Sequence, residues 1–393
     1  MSATYLMPTY NRQPISFTRG SGSWLYTQND TPYLDALTGI AVCGLGHCHP
    51  KVTEAIQKQA EILIHTSNLF GIDWQERAGE ALCVAANMDS VFFANSGAEA
   101  NEAALKMARL YAHNKGFKRP KVIVMEQSFH GRTLLSLSAT ANPKAREGFF
   151  TLDDDFIRLP FGDVTAIRQA AIDNDDICAI FVEPIQGEGG LNTATNGFTY
   201  LEELQAVCED NDWLFMIDEV QTGNGRTGKY FAYQHSKARP DVLTTAKGLG
   251  NGFPVGACLV SGRAKNLFGA GSHGSTYGGT PLASRVVHSV YEVLTETDIM
   301  QNSVIEGQFI RDSLTADLQQ YGVTSRGAGT MIGIVLPEHM DCSSLVDLAR
   351  DEQQLIINIT GGHVIRLLPP LNISRDDSEQ VVERLIKLLK PRL

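Results

Sequence analysis

The chain has 393 residues, 43% of them hydrophobic, and a formal net charge of −11. That length fits two domains with large cores and excludes disorder as the main state. An acidic balance, with a pI near 5.4, argues against nucleic acid or an anionic membrane surface as partner.

No apolar run approaches the ~18 residues that span a bilayer. The N-terminus has no basic stretch followed by an apolar one, so it does not read as a signal peptide. Seven scattered cysteines without a Cys-x-x-Cys pair speak against a disulfide framework or zinc ribbon. A soluble, cytoplasmic chain without a metal site is the expectation.

Taken in order, short strands at Trp24–Tyr26 and Pro32–Leu34 open the chain. Helix-period stretches follow at Lys51–Leu63 and Gln75–Ala86, then a strand at Ser90–Ala94 and a helix at Ala98–Ala112. Strands at Lys121–Met125, Ile177–Glu183, Trp213–Asp218, Val242–Thr245 and Gly256–Ser261 alternate with helices at Val164–Ile172 and Tyr200–Asn211. This alternation predicts an α/β domain with a largely parallel sheet. From about residue 284 helices dominate (Ser284–Thr295, Gln301–Tyr321, one near Ser343–Gln353, and a last one from Ser374 or Asp377 to Leu389), interrupted by Gly327–Val335 and a strand at Val364–Leu367. The division expected is a large domain over 46–283 and a smaller α+β domain from 1–45 and 284–393.

Two motifs mislead. Gly223 to Lys229 fits G-x-x-x-x-G-K, but Tyr230 stands where a phosphate loop needs Ser or Thr for magnesium. His47, Cys48 and His49 are consecutive, so their side chains diverge and one ion is not easily shared.

Four other segments carry ambiguous signals alone. Ser96, Gly97 and Ala98 open a helix after an apolar strand, where free backbone N–H groups attract anions. Asp218 ends the apolar run Trp213–Ile217, and ligands of open α/β sheets bind at strand carboxyl ends. Lys247 sits between a strand and the glycine-rich stretch 248–252, where a desolvated amine becomes a nucleophile. Residues 272–279 form a loop of hydroxyls and glycines suited to a phosphate. Jointly they match one cofactor. Pyridoxal 5′-phosphate needs an anion cup, a lysine for its aldehyde and a carboxylate at its ring nitrogen.

The chain resembles the subgroup III, ornithine/acetylornithine-type aminotransferases of the fold-type I pyridoxal-phosphate enzymes. The likeness runs through GIAVCGLGHCHP (39–50), NSGAEANEAA (95–104), SFHGRTL (128–134), LSATANPKAREGF (137–149), EPIQGEGG (183–190), DEVQTGNGRTGK (218–229), TTAKGLGNGFPVGA (244–257), GSHGSTYGG (271–279) and RLLPPLNIS (366–374). It implies a mostly parallel seven-stranded sheet in the large domain. It further implies Lys247 as the residue that bonds the cofactor and later moves the proton, and Asp218 as the ring-nitrogen partner. Gln221 would meet the ring oxygen, Phe129 would stack on the ring, and Ser96, Gly97 and Ala98 would hold the phosphate. Thr276 would reach that phosphate from a second copy, in a homodimer with shared active sites.

By the same resemblance Arg132 takes a substrate carboxylate, and Ser275 helps hold the donor. Glu188 masks Arg366 until glutamate binds. The reaction implied is N2-acetyl-L-ornithine plus 2-oxoglutarate to N-acetyl-L-glutamate 5-semialdehyde plus L-glutamate, in arginine biosynthesis. Rival donors are succinylornithine, succinyl-diaminopimelate, ornithine and 4-aminobutyrate. An aminomutase acting without 2-oxoglutarate and a non-catalytic cofactor-binding protein are further alternatives. Ile40 stands where ornithine-specific members carry a tyrosine, which favours an acylated donor. Thr280 stands where the family usually has Asn.

Overall fold

A strand covered on both faces must be apolar on both. Ile177–Val182 meets this condition, with all six residues buried. In the computed structural model of the protein, which describes residues 5–393, this strand lies inside a seven-stranded sheet. Across the sheet the order is Ser90–Ala94, Gly256–Val260, Val242–Thr245, Leu214–Asp218, Ile177–Val182, Lys121–Met125 and Phe156–Leu159.

The last five pair in parallel. Gly256–Val260 is antiparallel to both its neighbours, so Ser90–Ala94 points the same way as those five. Six carboxyl ends therefore share one edge. Phe156–Leu159 is the strand that the sequence pattern does not reveal, being four residues long and preceded by a turn of three aspartates.

Helices cover both faces of this sheet. Gly97–Asn114 turns an alanine-rich face to it, with Ala100, Ala103, Ala104, Ala108 and Ala112 fully out of water. These small side chains let the helix axis come close to the strands. On the other face Pro50–Ile62 and Asp73–Ala86 pack with Pro281–Glu296. The departure at Thr280 has a local role. Its hydroxyl caps that last helix, accepting from the Ala283 N–H at 3.3 Å, with Pro281 in the first turn.

Two four-stranded sheets form the rest. One joins Thr324–Ala328, Met331–Val335, Val364–Leu367 and Asn358–Thr360. The other joins Arg19–Ser21, Trp24–Tyr26, Pro32–Asp35 and the short Leu355–Ile356, which pairs parallel to Pro32–Asp35. Beginning and end of the chain are thereby laced together. Leu34, Ile310, Leu314, Ile332, Ile365 and Leu385 belong to one apolar core with the helices Ile299–Leu318 and Arg375–Leu389. The expected helix to Tyr321 ends at Leu318 and tightens into a 3-10 turn before Gly322, whose φ is 81°. Among the described residues no helix is long and apolar enough to cross a membrane.

Candidate active site

The strand Val242–Thr245 ends two residues before Lys247, and the backbone there turns into the left-handed region with φ of 50° at Lys247. Such a conformation in a long side chain is held by its surroundings. Asn224 is part of them, donating to Thr245 Oγ1 at 2.9 Å and to the Ala246 carbonyl at 3.1 Å. The turn aims Lys247 into a cavity of about 370 Å³. Its amine has no hydrogen-bond partner among the described residues. Desolvation lowers its pKa from 10.5 to about 8; the Glu188, Asp218 and Glu183 carboxylates oppose that fall and Arg366 adds to it.

Asp218 closes the neighbouring strand and reaches the same cavity. Its Oδ2 accepts from Asn101 Nδ2 at 2.8 Å and lies 2.8 Å from His130 Nδ1. Its Oδ1 accepts from the Val220 N–H at 3.0 Å. With Asp218 as acceptor, the His130 proton sits on Nδ1. The imidazole is stacked on Phe181 at 4.4 Å, and its Nε2 is buried without a partner. Thr244 in turn donates to Asn101 Oδ1 at 2.6 Å. The carboxylate is thus fixed from three sides.

Glu183 forms the floor on the other side. It is buried; Oε2 accepts from the Phe129 N–H at 3.2 Å and Oε1 from the Gly187 N–H at 3.3 Å. Burial, then the nearby Asp218, pushes its carboxyl well above the usual range. One side chain therefore ties the Phe129 backbone to the loop carrying Glu188. A Cβ on Gly187 would lie 2.4 Å from the Gln221 amide, so a side chain there would require Gln221 to move. Gln221 Oε1 is itself buried without a partner.

At one end of the cavity the helix Gly97–Asn114 begins. Ser96 caps it by accepting from the Glu99 N–H at 3.2 Å, while the Gly97 and Ala98 N–H groups have no acceptor among the described residues. They present partial positive charge to the cavity. A Cβ on Gly97 would come 2.7 Å from Val220, so this approach also demands glycine.

Two guanidinium groups differ in state. Arg132 is exposed, lies 5.5 Å from the centre of the Phe129 ring, and has no carboxylate partner among the described residues. Arg366 is 1% exposed. Its Nη1 donates to Glu188 Oε1 at 2.6 Å, its Nη2 to Asn358 Oδ1 at 2.8 Å, and its Nε is buried without a partner. The Glu188 side chain remains 38% exposed.

Ser96, Gly97, Ala98, Phe129, Arg132, Glu188, Asp218, Gln221 and Lys247 line this single cavity, and Arg366 joins it through Glu188. Ser275 and Thr276 do not line it. Ser275 accepts from Asn95 Nδ2 at 3.0 Å beside a separate groove along Ser90–Ala94, and Thr276 is exposed. His130 and Glu183 are the residues that sequence reasoning passes over. Each lies inside a quoted motif, but their contacts span 88 and 54 positions.

The family model described as aminotransferase class-III matches residues 5–389. Acetylornithine aminotransferase of Nitrosomonas europaea is 46% identical over 388 residues, covering 98% of each chain. The Bacillus subtilis protein of the same name is 42% identical, covering 97% of this chain and 96% of its own. Among solved structures, N-acetylornithine aminotransferase from Stenotrophomonas maltophilia superposes with a TM-score of 0.85 at 32% identity, covering 97% of each chain. Ornithine aminotransferase from Toxoplasma gondii superposes with 0.93 at 32% identity, covering 98% of this chain and 92% of its own. Backbone likeness therefore does not separate acylated from free ornithine.

The lowered Lys247 pKa is directly measurable. In cofactor-free protein, the rate at which an amine-selective reagent labels Lys247 should rise with pH and reach half its plateau near 8, because the reactive free amine dominates above that pKa. A midpoint near 10.5, read by peptide mapping of Lys247, would contradict the desolvated site.

Proposed function

Because this chain belongs to the class-III aminotransferases, we propose that its cavity exchanges an amino group between N2-acetyl-L-ornithine and 2-oxoglutarate. The products are N-acetyl-L-glutamate 5-semialdehyde and L-glutamate. The observation that carries the reading is the pairing, around one desolvated lysine, of an uncommitted arginine with a masked one. The acetylornithine donor is favoured by relatives of that name at 42–46% identity over nearly the full chain.

The family works with pyridoxal 5′-phosphate, and the residues present fit that group. Two free N–H groups at a helix start suit a phosphate, an unpaired amine suits an aldehyde, and a buttressed carboxylate suits a ring nitrogen. Gly97 and Ala98 would hold the phosphate with Ser96 shaping the turn. Lys247 would bond the aldehyde carbon, Asp218 would pair with the ring nitrogen, Gln221 with the ring oxygen, and Phe129 would stack on the ring. When bound, the cofactor supplies an electron sink for the carbon that loses its proton.

The protein does the remaining work. Lys247 Nζ, with its pKa near 8, both accepts and returns a proton close to neutral pH. Asp218, held by His130, Asn101 and the Val220 N–H, would favour the protonated form of the cofactor's ring nitrogen. Arg132 takes the α-carboxylate of the donor in a two-pronged grip. While Glu188 neutralises Arg366, the donor is accepted by its distal amine. When Glu188 swings out, Arg366 takes the α-carboxylate of glutamate instead, and the α-amine reacts. An exposed carboxylate over a buried guanidinium supports this exchange, since Glu188 loses little hydration by moving.

We read the chain as a homodimer in which Ser275 and Thr276 serve the other copy's cavity. Leu69 and Phe70 are exposed in the segment that meets the 275–278 loop, and Tyr277 in that loop is exposed too. A surface of large apolar side chains beside a hydroxyl loop is what a second copy would cover. The mass in solution should be twice 42.9 kDa. A single-chain mass at an assay concentration where turnover is full would overturn the sharing.

The function is tested by a donor panel with 2-oxoglutarate. N2-acetylornithine should exceed free ornithine, succinylornithine, succinyl-diaminopimelate and 4-aminobutyrate in kcat/KM, with glutamate formed in equal amount. Another donor ranking first would reassign the substrate. Turnover without 2-oxoglutarate would point to an aminomutase.

A further inference from the structure

A left-handed turn borders the cavity. Thr38, Gly39, Ile40 and Ala41 have φ of 51°, 66°, 66° and 64°. Three of the four are not glycine, and L-residues enter this region against a steric penalty that makes consecutive cases uncommon. The turn leads directly into Val42, which lines the cavity. Ile40 and Ala41 pack into a small apolar cluster with Ile185, Leu191, Met331 and Leu368, and Ile185 lines the cavity as well.

Such a turn persists only where its surroundings over-determine it. Here they converge on Asp35, which is 2% exposed. Its Oδ1 accepts from the Leu37 and Thr38 N–H groups at 2.9 and 2.8 Å. Its Oδ2 meets His47 Nε2 at 2.7 Å. The bond to Asp35, with Cys43 adding to it, raises His47 to about 10. The Thr38 hydroxyl donates to the Leu368 carbonyl at 2.7 Å, two residues beyond Arg366. Neither Asp35 nor His47 lines the cavity or has a part in the transfer described above.

We propose that Asp35 is a positioning residue for the amino donor: with His47 it holds the Thr38–Ala41 turn left-handed, so that Val42 and Ile185 form the wall that the donor's acyl group packs against. The donor identity in this proposal rests on the proposed function; the turn does not. Glutamate has no acyl group, so a wall displaced by a loosened turn is felt first by the donor. Small differences in an apolar wall are worth about tenfold in discrimination.

The test uses the cofactor-loaded protein as wild type, Asp35→Ala, His47→Ala and the double variant Asp35→Ala with Ala41→Gly. Asp35→Ala should raise KM for N2-acetylornithine by about tenfold with kcat little changed, while kcat/KM for glutamate changes far less. His47→Ala should act in the same direction more weakly. Glycine adopts the left-handed region freely, so the double variant should recover much of the lost donor KM and of the lost thermal midpoint. A residue that merely supports the fold would lose both substrates alike, and glycine would deepen the loss. Equal losses for the two substrates, or no donor-specific change in a folded His47→Ala, would overturn the proposal. A wild type that reacts with glutamate but not N2-acetylornithine would overturn the donor assignment instead. In that case the thermal comparison decides: failure of Ala41→Gly to restore midpoint to Asp35→Ala, or to His47→Ala should Asp35→Ala not fold, overturns the anchored turn.

Discussion

A guanidinium out of water needs partners for its charge, and at Arg366 the cavity meets that need with a carboxylate. Arg366 comes from the Val364–Leu367 strand of one four-stranded sheet; Glu188 comes from the loop after Ile177–Val182 in the seven-stranded sheet. Their 2.6 Å contact therefore closes the site across two bodies of the fold. Asn358 and the Gly187 carbonyl also hold Arg366, and in the proposed exchange they would keep it anchored as Glu188 leaves. In the proposed exchange the cation is thus fixed and its mask moves. The proposed function relies on that asymmetry, and not on the presence of an ion pair as such, for one cavity to receive two substrates of different charge pattern.

The lysine depends on the same arrangement. Desolvation alone makes an amine reactive near neutral pH, but a buried ammonium beside an unmasked guanidinium is pushed further down. Glu188 and Asp218 temper that effect. The fold supplies the geometry cheaply, because six strands deliver their carboxyl ends to one edge, and residues at or just after those ends become the reactive groups.

Much of this was legible in the residues. Ile177–Val182 and Leu214–Asp218 read as strands because both faces are buried, leaving unbroken apolar runs. Lys247, Asp218 and the helix opening at Ser96 are ambiguous one by one and read as a site only together, as the groups that one cofactor requires. Phe156–Leu159 did not register, being a short edge strand with mixed burial. His130, Glu183, Asp35 and His47 carry no local signature of their roles. Each role is defined by a partner that only the fold brings near, as with His130 and Asp218. The left-handed turn was equally hidden, since Thr, Ile and Ala carry no preference for that backbone.

The proposed exchange of two substrates in one cavity requires Glu188 to be a movable mask. The decisive measurement is a single-turnover comparison of wild type and Glu188→Gln, loaded with pyridoxal phosphate, following the loss of its visible band with glutamate alone and with N2-acetylornithine alone. Glutamine cannot neutralise Arg366, so the rate with glutamate relative to the acylated donor should rise severalfold. An unchanged ratio would mean that Glu188 and Arg366 form a permanent pair, and that the two substrates are told apart by something else.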